Sequence, residues 1–147
     1  EHSIEVQLPI LARLAPSARV VGIALHGGGL EAVQKSAEQL AAVLSELPKL
    51  PLLVVSTDMN HYADEATTRR VDRMALDALE SLDPAGLYET VHQNRISMCG
   101  VLPAVLVMET LKRLGRLNRI ESVGYTTSAE ASGDSSRVVG YAGALMA

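Results

Sequence analysis

The sequence predicts an α/β fold, with a mixed, largely parallel sheet covered by helices on both faces. Three observations lead there. The 147 residues are 48% hydrophobic and 20% charged, which suits one packed core and excludes disorder, a state that needs low hydrophobicity and high net charge. Short apolar runs rich in β-branched residues alternate with longer segments whose apolar residues recur at helical spacing. Glycine and proline separate the two kinds of segment.

The elements follow in order. Ser3 caps a helix over 3–14, with Ile4, Leu8, Leu11 and Leu14 on one face and Pro16 beyond its end. The run R-V-V-G-I-A-L at 19–25 reads as a buried strand, broken by Gly27, Gly28 and Gly29. An amphipathic helix spans 31–45, and Pro48 and Pro51 lead into a second buried strand at 52–56. Residues 63–81 carry Val71, Met74, Leu76 and Leu79 among charges, the pattern of a surface helix. Asp83-Pro84 opens a short helix with Asp as N-cap and Pro at its first position. The apolar helix 101–114 ends in Lys112, Arg113 and Gly115. Strands at 120–127 and 137–146, joined by the polar loop 128–136, close the chain as a candidate antiparallel pair.

Charge and cysteine use narrow the partners and the setting. The net charge of −4 and isoelectric point near 5.5 leave no basic patch for nucleic acid. The longest apolar runs, 50–55 and 101–108, fall short of the roughly 18 residues that span a bilayer. Cys99 is the only cysteine, which precludes an internal disulfide framework and fits a cytoplasmic setting.

Four places hold chemistry. Ser56-Thr57-Asp58-Met59-Asn60-His61-Tyr62 sits at the carboxyl end of a predicted strand, where open α/β sheets place ligands. There Asp58 can fix the tautomer of His61 or share a metal with it; the plainer alternative is a capping aspartate and a solvated histidine. Cys99, just ahead of the apolar helix, stands where a helix N-terminus stabilises a thiolate, or is simply a small buried hydrophobe. His26-Gly27-Gly28-Gly29 resembles an esterase oxyanion loop, but no G-x-S-x-G elbow accompanies it, so it reads as strand–helix punctuation. Glu1 and His2 come last, with His92 on an exposed helix face. The residues alone thus yield an Asp/His/Cys site with few ligands for zinc or iron.

These blocks resemble the Memo-like family. Glu1-His2-Ser3-Ile4-Glu5-Val6-Gln7-Leu8-Pro9 looks like its E-H-S-x-E-x-x-L-P block, Ser56–Tyr62 its S-[ST]-D-x-x-H block, and Ile96-Ser97-Met98-Cys99-Gly100 its cysteine block. The tail, from Tyr125-Thr126-Thr127-Ser128 through Ser132-Gly133-Asp134-Ser135-Ser136-Arg137 to Ala142, is similar to the bacterial branch called AmmeMemoRadiSam system protein B. The resemblance implies a fold like that of class III extradiol (LigB-type) dioxygenases. It also implies a pocket of two N-terminal histidines with Asp58, His61 and Cys99, in which Cys99 and His61 hold iron or copper and His61 with Asp58 does acid–base work. The part carrying the other two histidines is absent here, and the H-G-G-G loop is no family signature, so His26 is not promoted to a missing ligand.

On that resemblance, residues 1–147 form the C-terminal half of a single Memo-like domain, completed by an N-terminal segment or a complementary chain. Two functions stay open: a metal-dependent redox protein of unknown substrate, and a non-catalytic adaptor that uses the inherited pocket for a peptide or small ligand. The branch name adds radical S-adenosylmethionine (radical SAM) and AMMECR1-like proteins as implied partners.

Overall fold

The computed structural model describes residues 2–147; Glu1, the first residue of the E-H-S block, lies outside them. The order is α1 (His2–Glu5), α2 (Leu8–Leu14), α3 (Leu30–Ser45), β1 (His61–Ala63), α4 (Glu65–Glu80), α5 (Pro84–Gln93), α6 (Val101–Arg113), β2 (Ile120–Thr127), α7 (Ala129–Ser132) and β3 (Val138–Met146). This is a mixed α/β architecture.

Most helices start and stop where local chemistry dictates. The Asp64 side chain accepts the Thr67 N–H at 2.9 Å and caps α4. Pro84 stands in the first turn of α5, although Asp83 occupies the N-cap without a side-chain cap bond. Lys112 and Arg113 end α6, and Gly115 follows at φ +65°. The expected helix over 3–14 is instead two helices. A continuous one would set the Pro9 ring against the Glu5 carbonyl and leave that carbonyl without a donor, so α1 ends at Glu5 and α2 restarts with proline in its first turn.

The sheet corrects the expected topology. It has three strands in the order β1-β3-β2, and both pairings are antiparallel. The predicted closing pair is present, running from Ile120↔Met146 to Thr127↔Gly140 with an irregularity between Ser122 and Gly124. On its other edge β3 receives His61 opposite Val139 and Ala63 opposite Val138. The segments 19–25 and 52–56, expected as parallel strands, carry no strand assignment, and Val21 and Leu52 are 86% and 83% exposed. An apolar β-branched run signals that a segment needs covering, but it does not name the cover. Among the described residues neither run pairs with a neighbouring strand, so no largely parallel sheet forms.

The core lies between helices and sheet. α6 packs against α3 and α5, and α4 lies against all three strands. Leu87, Val105 and Met108 are fully buried within it. Beside it the segment 50–59 leaves an apolar cleft of about 320 Å³, lined among others by Leu52, Met98, Leu111 and Met146. Among the described residues no helix is long and apolar enough to cross a membrane.

Truncating Leu87, which is fully enclosed, is expected to cost about 2–5 kcal/mol as Leu87→Ala, the transfer loss plus a residual cavity. Leu14→Ala, at a side chain 76% exposed, is expected to stay within about 0.5 kcal/mol. Denaturant unfolding of both variants checks the contrast.

Candidate metal centre

Residues 59–63 lie along β3 and carry the segment to the site. The Met59 N–H donates to the Gly140 carbonyl at 2.9 Å and the Gly140 N–H donates to the Asn60 carbonyl at 3.0 Å. This pairing anchors the backbone between Asp58 and His61. Asp64 then opens α4, and the Thr67 N–H at that cap holds its carboxyl below the usual carboxylate range.

Cys99 arrives on the turn between α5 and α6. Thr57 ties that turn to the Asp58 segment. Its hydroxyl oxygen accepts the Gly100 N–H at 2.7 Å and lies 3.5 Å from the Cys99 sulfur. Asp58 donates its own N–H to the same sulfur at 3.4 Å. The approach is close enough that a Cβ on residue 100 would overlap the Thr57 side chain, which is why glycine stands there. Ser97 makes a second tie. Its Oγ accepts the His61 N–H at 2.7 Å and donates to Asn60 Oδ1 at 3.0 Å.

Three dissimilar donors therefore converge. One ligand atom from each of Asp58, His61 and Cys99 lies within 4.8 Å of the others. Asp58 and His61 are half-buried and Cys99 is exposed. His61 Nε2 lies 3.5 Å from Asp58 Oδ2, a charge contact at the limit of hydrogen bonding, and this buried nitrogen has no hydrogen-bond partner. A buried polar atom normally finds one. An orphaned imidazole nitrogen facing a carboxylate oxygen and a sulfur fits a cation seated among them, and the O/N/S mixture suits a transition metal rather than magnesium or calcium.

The rim is formed by Tyr62, at φ +64° and 66% exposed, with its ring centroid 5.7 Å from that of His61. The Arg137 guanidinium covers the tyrosine ring at 4.7 Å. A non-glycine residue in the left-handed region stores backbone strain, a feature that gathers at functional sites.

The other candidates stand apart. His26 is not in the donor group and precedes Gly27 and Gly28, which turn the chain at φ +72° and +98°. His2 pairs at the surface with Glu5 at 3.1 Å. His92 is exposed on α5, stacked on Tyr88 with its Nδ1 2.8 Å from the Tyr88 carbonyl. Sequence reasoning missed Thr57, Ser97 and Gln7. The last donates from Nε2 to Ser56 Oγ at 3.0 Å, bringing the N-terminal block against the segment that carries Asp58 and His61. Each of these contacts joins residues more than 35 positions apart, so no local spacing announces them.

A family model described as Memo-like protein matches residues 1–145. A MEMO1 family protein of Methanopyrus kandleri is 36% identical over 143 residues, 97% of this chain and 50% of that protein. One from Thermotoga maritima is 36% identical over 148 residues, 99% of this chain and 50% of its own length. One from Aquifex aeolicus is 38% identical over 146 residues, 99% of this chain and 54% of its own. The chain spans about half the length of these curated relatives.

Thr57→Val, which removes the acceptor of the Gly100 N–H, is expected to cost about 1–3 kcal/mol by stranding a partly buried donor. Thr57→Ser keeps the hydroxyl and is expected to retain most of that stability in the same unfolding measurement.

Proposed function

The chain belongs to the Memo-like protein family, and from that premise we propose that it carries the carboxylate–imidazole–thiolate side of a dioxygenase-derived, non-haem metal pocket with a redox role. The observation that carries the reading is the orphaned His61 Nε2, buried among Asp58 and Cys99 donors that lie within 4.8 Å. Cys99 and His61 are the donors assigned to the metal. Iron or copper is the metal proposed, because both accept imidazole and thiolate ligands. When bound, such an ion supplies one-electron redox chemistry and Lewis acidity.

This chain's own residues set the rest. Asp58 orients the His61 ring, and the two can hold a proton at Nε2 when no cation claims it, which is the acid–base capacity of the site. The Cys99 sulfur receives the Asp58 N–H and approaches the Thr57 hydroxyl, contacts that orient a ligand sulfur. Tyr62 borders the imidazole, and Arg137 lies over the tyrosine ring.

The remaining half of the relatives' length bears on partners. Two unpaired apolar segments, 19–25 and 52–56, and the apolar cleft beside 50–59 support the reading that further polypeptide, in the same chain or a second one, supplies neighbouring strands. Those strands complete a largely parallel, extradiol-dioxygenase-like sheet and bring the remaining metal ligands.

The test is metal analysis of the full-length protein that contains this segment. About one iron or copper per polypeptide is expected. Cys99→Ala and His61→Ala are each expected to weaken uptake by roughly tenfold or more, since even outer partners of metal ligands are worth 10–100-fold. A metal-free protein that both substitutions leave unaltered, yet that retains a peptide or small ligand, would replace this reading with that of a non-catalytic adaptor.

A further inference from the structure

Helix α4 hides a carboxylate that the metal reading does not use. Asp72 reads in the sequence as one of the charges on a surface helix, but it is fully buried. Both of its oxygens are engaged. Oδ1 accepts the backbone N–H of Asn60 at 2.8 Å, and Oδ2 accepts the Tyr125 hydroxyl from β2 at 2.7 Å. Residue 140 of β3 has no side chain, and a Cβ there would overlap Asp72 Oδ2. Four parts of the fold therefore meet at one carboxylate.

Asn60 passes this anchoring on. Its side-chain amide donates to Thr68 of the same helix at 3.3 Å, which orients Oδ1 towards Ser97. That oxygen accepts both the Ser97 N–H at 3.2 Å and the Ser97 hydroxyl at 3.0 Å, while Ser97 Oγ accepts the N–H of His61 at 2.7 Å. The two ligand-bearing segments, one ending in His61 and the other in Cys99, are joined through Asn60 and Ser97.

We propose that Asp72 is the positioning residue of the metal pocket, setting through Asn60 and Ser97 the separation of the His61 and Cys99 donors. The proposal rests on the metal reading above. Asp72 touches no metal; it fixes the backbone from which both ligands hang. Burying a carboxylate is costly unless its hydrogen bonds are complete, so the pair of donors from Asn60 and Tyr125 gives the residue one stable arrangement.

The experiment uses the full-length protein with cobalt(II) as the probe, read by its thiolate-to-metal absorption and by titration. Asp72→Asn, nearly isosteric, is expected to weaken cobalt binding about 10–100-fold and to alter the absorption. Tyr125→Phe keeps the carboxylate and is expected to do the same to a smaller degree; it serves if Asp72→Asn does not fold. Leu87→Ala controls for stability alone and is expected to lower Tm while leaving affinity and absorption unchanged. Wild-type affinity and absorption in a folded Asp72→Asn protein overturn the proposal. If the wild type takes up no cobalt, the metal reading fails, and amide exchange at Asn60 and His61 in the metal-free protein decides the positioning. Faster exchange in Asp72→Asn supports it, and unchanged exchange overturns it.

Discussion

A carboxylate taken out of water governs the centre of this molecule. Burial pushes Asp72 up from its ordinary range, against hydrogen bonds from Tyr125 and Asn60 that favour the charged form. Burial, reinforced by the Asp72 carboxylate, pushes the Tyr125 phenol well above its own range and keeps it a donor. Helix α4, strand β2, the bare Gly140 position of β3 and the Asn60 backbone must all be in place before the charge is accommodated. Such an arrangement favours one register over its neighbours, since slipping any element leaves a buried charge short of a donor.

The group formed by Asp58, His61 and Cys99 hangs from the same sheet. β3 is paired along both edges, with β2 on one side and the Met59–Ala63 stretch on the other. Asp58 and His61 are therefore carried by backbone already committed to the sheet, and their side chains extend from a fixed edge. Cys99 comes from a different part of the chain, and Thr57, Asn60 and Ser97 hold it in reach by small polar contacts. No large side chain is needed, which suits a sequence with four Tyr and no Phe or Trp.

Much of this was legible in advance. The helices α3 and α6 and the β2–β3 pair follow from periodicity and end signals, since each is stabilised by chemistry within its own span. The convergence of Asp58, His61 and Cys99 was anticipated from a helix start at Cys99 and from the end of a strand at 52–56 that does not form among the described residues, and more sharply from the motif resemblance. The failures share a cause. The break before Pro9 depends on a clash one turn back. The three-residue β1 exists only because β3 offers an edge. Segments 19–25 and 52–56 show the apolar character of strands without a described strand beside them, and character alone does not make a ladder. Asp72 lies among Arg70, Arg73 and Asp77 in sequence, and only the tertiary fold separates it from those solvated charges.

The two unpaired segments also have a consequence for handling the molecule. A β-branched run such as Val20, Val21 and Ile23, each at least half exposed and without a strand partner among the described residues, presents its backbone to whatever chain comes near. That is the template on which edge-to-edge aggregation begins. Expressed as these residues alone, the protein should lose material to self-association before it loses its core. A lysine placed midway along 19–25 should protect its solubility more than any repacking of Leu87 or Met108.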